Sequence, residues 1–410
     1  MAATGLRQKR FYGWTALAGA MLAYFSCCGT IFYSYGVFLP SISETFPWSR
    51  AELSGPFSLF IVLMGLLGPL AGASVTRFGA RKNIIFGNLV MVLGLVGMSL
   101  VKDIWQVYLF YGVLVGVGFA FGMFLPLTTI ANDWFIKRRS LAMSLLLTSG
   151  AIGGFAFPPL VTWLISSLGW QLAWVYLAII HLVLAVGVAG VLIKNKPEDI
   201  GQVPDGEVAQ EVQEVEASRP ALSRLHQTPV DWKAREALCT RAFWMILVFA
   251  VANDFLLNIL VAHQVIYLRR LDFPPMIAAS ALSMFVGLSI VGRLSVGALG
   301  SRFEGRYLAT ACLGVFAIGV IILMNIMALP FIYLYVYTLL SGAGYGGLLV
   351  VGPAMLGAYY GRANYAQILG WHMPLVTLLG AAGPLLAGLS YDIAGSYIPA
   401  FVVAVALLGV

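Results

Sequence analysis

Charged side chains that could do chemistry inside the long apolar segments of this chain are few. Of its 410 residues, 60% are hydrophobic and only 10% are charged, and most Lys and Arg residues fall between the apolar segments. Two charges fall within such segments, Arg293 and, at the middle of another segment, Asp254. A charge within a bilayer costs about 2.5–3.5 kcal/mol on insertion scales. Each of these two residues is therefore expected to have a function or a buried partner.

Arg293 is the candidate residue for binding an anion. Its planar guanidinium group can hold a carboxylate through two parallel N–H groups. The alternative interpretation is a structural arginine, which extends toward the membrane surface or bonds to the end of a helix.

Asp254 is the candidate site for a proton. Burial disfavours an ionised carboxylate and a neighbouring arginine favours it, so a carboxyl group between the two influences can take up or release a proton. The alternative is a permanent ion pair with Arg293 that only fixes packing. His372 is a second proton candidate, since imidazole titrates near neutrality; a packing role is the alternative.

Neutral side chains complete the candidate site. Asn258 follows Asp254 by one helical turn and shares its face. Tyr33 and Tyr345 could donate hydrogen bonds, and Phe119 could form an apolar wall, with ordinary helix packing as the alternative for all of them. The sequence shows no nucleotide-binding motif, catalytic triad or metal-ligand cluster. It therefore predicts a protein without enzymatic activity or cofactor, powered by gradients.

The apolar segments predict an all-α membrane protein. The hydrocarbon core of a bilayer is about 30 Å thick and takes about 20 apolar residues as a helix. Peptide groups in lipid must find partners within their own segment, which makes these segments helical. Twelve helices are predicted, at 12–39, 55–77, 83–101, 104–131, 141–167, 171–193, 240–267, 276–300, 306–328, 331–357, 363–391 and 396–410.

One long polar segment, residues 194–239, divides the twelve helices six and six. It holds three prolines and an acidic run from Glu207 to Glu216. With few aromatic residues it predicts a linker rather than a folded domain. The predicted organisation is thus a six-helix bundle over 1–193, a cytoplasmic linker, and a second bundle over 240–410.

The distribution of positive charge predicts the orientation. With the N-terminus in the cytoplasm, the outer segments carry only Arg50, Lys102, Arg269 and Arg270 of the 24 Lys and Arg residues. Nearly all the others fall in inner segments, as the positive-inside rule requires. Both termini are therefore expected on the inner side of the cell membrane.

The two halves repeat each other. The second predicted helix ends in Gly72-Ala-Ser-Val-Thr-Arg-Phe-Gly-Ala-Arg-Lys82, and the eighth ends in Gly297-Ala-Leu-Gly-Ser-Arg-Phe-Glu-Gly-Arg306. Helices five and eleven share Gly150-Ala-Ile-Gly153 and Gly380-Ala-Ala-Gly383. Such repeats are typical of transporters built from two related halves.

This pattern of six plus six helices resembles the major facilitator superfamily, and the resemblance implies two pseudo-symmetric bundles. The superfamily's loop between helices two and three has an acidic residue where this chain has Thr76. The resemblance also implies that the basic loops latch the outward-open state. The residues concerned are Arg77, Arg81, Lys137, Arg138 and Arg302.

Three motifs narrow the resemblance. Trp134-Phe-Ile-Lys-Arg-Arg-Ser-Leu-Ala142 looks like the sequence that opens helix five in monocarboxylate transporters. Two others resemble the related bacterial oxalate/formate antiporters, namely Tyr359-Tyr-Gly-Arg-Ala-Asn-Tyr-Ala366 and Lys196-Pro-Glu-Asp-Ile-Gly201.

The chain also departs from the monocarboxylate pattern. Its opening motif, Arg10-Phe-Tyr-Gly-Trp14, lacks the family's acidic residue. Tyr33 replaces a lysine of helix one. Ser289 replaces the aspartate that precedes Arg293 by one turn.

The resemblance implies a proton-coupled symporter of small monocarboxylates, such as lactate or pyruvate, working as a monomer in the cell (inner) membrane. Its expected partners are the carboxylate, protons and lipid, without nucleic acid. The main alternative is an oxalate/formate-type anion exchanger, although a dianion usually calls for a second buried cation. A multidrug exporter or a membrane sensor is a more distant alternative.

Overall fold

The structure is a computed structural model that describes residues 11–48, 50–206, 228, 230–380 and 382–408. We number its long helices in chain order, counting a helix interrupted by a bend as one. They are α1 (Gly13–Cys27, Cys28–Phe32 and Tyr35–Thr45), α2 (Arg50–Leu66 and Gly68–Phe78), α3 (Ala80–Met98), α4 (Ile104–Trp134), α5 (Arg139–Leu168), α6 (Trp170–Leu192), α7 (Arg241–Arg270), α8 (Pro275–Leu299), α9 (Gly305–Met324), α10 (Ile332–Tyr360), α11 (Tyr365–Gly380 and Ala382–Ala394) and α12 (Ile398–Leu408).

Within the described ranges the helices confirm the predicted all-α membrane fold. Ten of them are long and apolar enough to cross a bilayer, and the two segments of α2 together give an eleventh. The last, α12, is a shorter apolar helix of Ile398–Leu408. The order and approximate bounds of all twelve helices follow the prediction.

Two details differ from the predicted helices. The segments of α2 meet at an angle of 52°, because Pro69 lacks the N–H that a continuous helix needs. The third helix begins earlier than predicted, since Gly79 adopts a φ of +87° and ends α2 directly before Ala80. Arg81, predicted in a loop, therefore lies in the first turn of α3, where its Nε donates to the Gly190 carbonyl oxygen at 2.9 Å.

The repeated glycine motifs pack helices together inside each half. On α5, a Cβ at Gly150 or Gly153 would collide with Tyr24 or with the Phe25 carbonyl oxygen of α1. On α11, a Cβ at Gly380 would collide in the same way with the α7 side chain of Asp254. The glycines bring α1 and α7 close to equivalent partners, as the repeat predicts.

The two halves meet through a second set of glycines on α2 and α8. A Cβ at Gly72 would lie 2.5 Å from the Ala366 carbonyl oxygen on α11. A Cβ at Gly297 would lie 2.5 Å from the Ser144 Cβ on α5. These contacts lie near the end of the bundle that carries the α2–α3, α4–α5, α8–α9 and α10–α11 turns, which we call the basic end.

At the opposite end the helices pack within their own half. The outer part of α1, Tyr35–Thr45, contacts α2, α5 and α6, and the outer part of α11, Ala382–Ala394, contacts α7 and α12. The contacts between halves instead join α2 to α11 and α5 to α8 and α10. The structure is therefore a bundle closed at its basic end.

Both described ends of the linker pack onto the basic end. At the start of the linker, the Lys194 carbonyl oxygen accepts a hydrogen bond from Trp134 Nε1 at 3.0 Å. At its other end, Trp232 N donates to the Tyr360 carbonyl oxygen at 3.1 Å, and a short helix, Ala234–Leu238, precedes α7. The acidic run Glu207–Glu216 lies outside the described residues.

Candidate functional site

Arg293 is buried where α8 meets α5 of the other half. Its side chain is only 4% exposed, and its Nη1 donates to the Leu147 carbonyl oxygen at 2.6 Å. Ser144 Oγ donates to the main-chain oxygen of Arg293, also at 2.6 Å. The buried Nε of Arg293 has no hydrogen-bond partner among the described residues. Arg293 thus bonds to a carbonyl oxygen in the interior of α5 rather than at the end of a helix, and its Nε could donate to an anion.

Neutral side chains from both halves interact electrostatically with Arg293. Tyr33 on α1 and Tyr345 on α10, both predicted, lie within its electrostatic reach. So do Tyr24 and Cys28 on α1, which sequence analysis missed. A π-helical turn at Cys28–Phe32 shifts the faces of α1, and such turns are frequent at functional sites.

Glycines make room for these rings. A Cβ at Gly154 on α5 would lie 2.5 Å from the Tyr33 ring. On the other side, the Tyr345 ring stacks on Phe285 with centroids 5.6 Å apart. The hydroxyl groups are therefore carried on rings with fixed positions, one from each half.

Asp254 lies on α7 in the position that Tyr24 holds on α1. Its Oδ2 accepts a hydrogen bond from Asn258 Nδ2 at 3.0 Å, one turn further along the same helix. The side chain is only partly buried, and it packs against the backbone of Gly380. The glycine repeats therefore place a carboxyl group in one half at the position that a phenol holds in the other.

Asp254 and Arg293 form no ion pair in the part of the chain that the structure describes. The carboxylate has Asn258 as its partner instead, and Tyr345 lies within electrostatic reach of both charges. A permanent Asp254–Arg293 pair, which the sequence left open as an alternative, is absent from this conformation. Both charged groups therefore interact with Tyr345, but they do not form an ion pair with each other.

Two further candidates, His372 and Phe119, have contacts with other aromatic rings. His372 is buried with its ring edge-on to Phe243 of α7, at 5.9 Å between centroids. Phe119 is 2% exposed and packs edge-on against Phe60 at 4.9 Å inside the N-terminal bundle. Their assignments to proton transfer and to the wall of the site stay predictions.

A second group of charges is buried at the basic end. Asp133 and Arg139 are 5% and 6% exposed, and both lie within electrostatic reach of Arg362 from the other half. The predicted fourth helix ends at residue 131, whereas α4 continues to Trp134 and so includes Asp133. The described residues therefore hold a buried acid, Asp133, besides the partly buried Asp254.

The predicted gating residues also lie at the basic end. Arg77 lies over the Phe78 ring, 5.1 Å from its centroid, and Arg302 is exposed in the turn after α8. The main-chain N–H groups of Lys137 and Arg138 point to the linker residue Asp205. Their role as latches stays a prediction.

Comparison with known proteins agrees with this architecture. Residues 20–324 match the family model of the Major Facilitator Superfamily. Monocarboxylate transporter 13 of Bos taurus is 27% identical over 398 residues, which cover 97% of this chain and 87% of that protein. Monocarboxylate transporter 13 of Rattus norvegicus is also 27% identical, over 97% of this chain and 86% of that protein.

Solved structures show the same fold. The proton:xylose symporter XylE, bound to 6-bromo-6-deoxy-D-glucose, superposes with a TM-score of 0.69. The match covers 97% of this chain and 95% of that one at 14% identity, so it bears on the fold alone.

Replacing Arg293 by Lys should weaken the binding of a small carboxylate roughly tenfold or more, about 1.4 kcal/mol. The charge stays, but the planar fork of donors is lost, and with it the hold on both the anion and the Leu147 carbonyl. Equilibrium binding of labelled lactate to the purified protein measures the change. Arg269→Lys, an exposed change in the last turn of α7, is the control. Unchanged affinity in a folded Arg293→Lys protein would show that the Arg293 guanidinium does not bind the carboxylate.

Proposed function

The chain belongs to the major facilitator superfamily, and on that premise we propose that it is a secondary transporter which carries a small monocarboxylate, such as lactate or pyruvate, together with a proton. The observation that carries the proposal is the arrangement around Tyr345. One buried guanidinium, Arg293, and one carboxyl group, Asp254, both interact electrostatically with Tyr345. The two charged groups do not form an ion pair with each other among the described residues, since the carboxylate of Asp254 bonds to Asn258.

The single positive charge of Arg293 suits the binding of an anion that carries one negative charge. Among the described residues, Arg293 is the one cation that interacts with Tyr24, Tyr33 and Tyr345. Phenol hydroxyl groups supply neutral hydrogen bonds to a carboxylate or to an adjacent oxygen. A dianion would call for a second cation. The other buried arginine in the described ranges, Arg139, lies at the basic end beside Asp133. A monocarboxylate is therefore favoured over an oxalate-type dianion.

Proton coupling follows from repulsion between like charges. A carboxylate bound to Arg293 places a negative charge near Asp254, whose partner in this structure is a neutral amide. Two neighbouring carboxylates resist being ionised together. Asp254 therefore takes up a proton when the anion binds. Anion and proton then cross the closed state as a nearly neutral unit, which lowers the cost of burial.

The alternating-access cycle uses the two ends of the bundle. The described conformation is closed at the basic end, where glycines of α2 and α8 meet the other half. Opening this end while the opposite end closes would carry the site across the membrane. We place the protein in the cell (inner) membrane with both termini cytoplasmic, working as a monomer.

Uptake of labelled lactate or pyruvate into proteoliposomes should be driven by a proton gradient, with accumulation on the alkaline side. The carrier brings one proton with each anion, so the gradient supplies the energy. The measurement compares uptake with and without the gradient, in vesicles with and without internal oxalate or formate. Uptake that ignores the gradient, yet rises with internal oxalate or formate, would establish the exchanger instead.

Replacing Asp254 by Asn should separate binding from coupling. The amide mimics the protonated carboxyl group and keeps a partner for Asn258, so exchange of labelled for unlabelled substrate should continue. Accumulation driven by a proton gradient should fall to the level without a gradient. Asp272→Asn, in the turn between α7 and α8, is the matched control and should accumulate normally. If Asp254→Asn still concentrates substrate, the proton site lies elsewhere, and His372 is the next candidate.

A further inference from the structure

Two aspartates, one at each end of the linker, hold equivalent turns of the two halves. Asp205 accepts hydrogen bonds from three successive main-chain N–H groups of the α4–α5 turn. The donors are Ile136 and Lys137 to Oδ2, at 2.9 and 2.8 Å, and Arg138 to Oδ1 at 3.4 Å. These N–H groups precede α5, and a carboxylate there is favoured by the helix dipole. Asp205 therefore fixes the direction in which α5 begins.

Asp231 does the same in the other half. Its Oδ1 accepts from the main-chain N–H groups of Arg362 and Ala363, at 2.6 and 3.0 Å, in the turn before α11. Gly361 has a φ of +83°, and the carboxylate of Asp231 occupies the space that a side chain would need there. Asn364 adds a hydrogen bond from its side-chain nitrogen to the Trp232 carbonyl oxygen at 2.9 Å.

A third carboxylate of the linker forms a contact between the two halves. Glu198, which follows α6 of the N-terminal half, accepts from Arg362 Nη2 of the C-terminal half, at 3.1 Å to Oε1 and 3.3 Å to Oε2. Arg362 is held in place by Asp231 through its main chain. The contact lies beside the buried Asp133 and Arg139, in the plane where the two halves meet.

We propose that the two ends of the linker are working parts of the gate at the basic end. Asp205 and Asp231 are positioning residues that fix the first turns of α5 and α11. The Glu198–Arg362 ion pair is a latch that joins the halves only while this end is closed. The inference rests on the alternating-access part of the proposed function and is independent of the anion carried.

The two kinds of contact differ in what they can do to the equilibrium between open and closed states. Asp205 and Asp231 bind turns of their own half, so their hydrogen bonds persist in both states. Glu198 and Arg362 come from different halves, so their ion pair exists in one state alone. A contact shifts an equilibrium only if it differs between the states. Loss of the Glu198 contact should therefore shift the equilibrium between the open and closed states directly. Loss of Asp205 or Asp231 should instead make the turn that it binds less ordered.

Distances between spin labels on the two halves test the latch. Cysteines replace the exposed Lys82 and Ser301 at the basic end, in a background in which the exposed Cys239 is Ser. Glu198→Gln should raise the ratio of long to short distances by about two- to fivefold, as expected for a partly exposed ion pair. The double variant Glu198→Arg with Arg362→Glu should restore the original ratio. Asp199→Asn, whose carboxylate accepts a hydrogen bond from the Lys196 N–H of its own half, is the control.

Hydrogen exchange of the main chain tests the positioning residues. Asp205→Ala should speed exchange at residues 136–138 and leave 362–363 unchanged, and Asp231→Ala should do the reverse. The spin-label distances and the hydrogen exchange are both measured without substrate. A negative result in either would therefore contradict this inference without contradicting transport of a monocarboxylate. An unshifted distance distribution in Glu198→Gln, or the same shift in Asp199→Asn, would overturn the latch. Unchanged exchange in both alanine variants would overturn the positioning role.

Discussion

The cost of an uncompensated charge in a bilayer is the constraint on which the rest of this structure depends. It limits the interior to very few ionisable groups, and it requires each of them to have a local partner. Arg293 meets the requirement through the Leu147 carbonyl oxygen of the opposite half, and Asp254 does so through Asn258. Neither partner is an opposite charge. Both groups are therefore held in place yet free to respond to an anion or a proton.

The same constraint explains the repeated glycines. Helices in lipid gain little from apolar attraction between them, so they associate through close packing. Glycines on α5 and α11 bring α1 and α7 near enough to present Tyr24 and Asp254 in equivalent positions. Glycines on α2 and α8 instead join the halves at the basic end. One kind of contact builds each half, and the other kind closes the gate.

Much of this could be predicted from the sequence because the signals are local. Long apolar segments predict the helices, the polar segment predicts the division into halves, and a charge in an apolar segment identifies Arg293 and Asp254. The partners of those charges could not be predicted, since they depend on which helices pack together. Tyr24 and Cys28 look like ordinary residues of an apolar helix. Asp133 lies beyond the predicted end of α4, and its electrostatic partner Arg362 comes from the other half, so the local sequence does not reveal its environment.

The central claim is that one anion and one proton cross together without net charge. The direct test imposes a membrane potential across proteoliposomes, using a potassium gradient and valinomycin, while the proton gradient is held constant. The account predicts that the initial rate of labelled monocarboxylate uptake is the same at positive, zero and negative potential. A rate that rises or falls steadily with the potential would show that net charge crosses with the substrate, and would contradict the account.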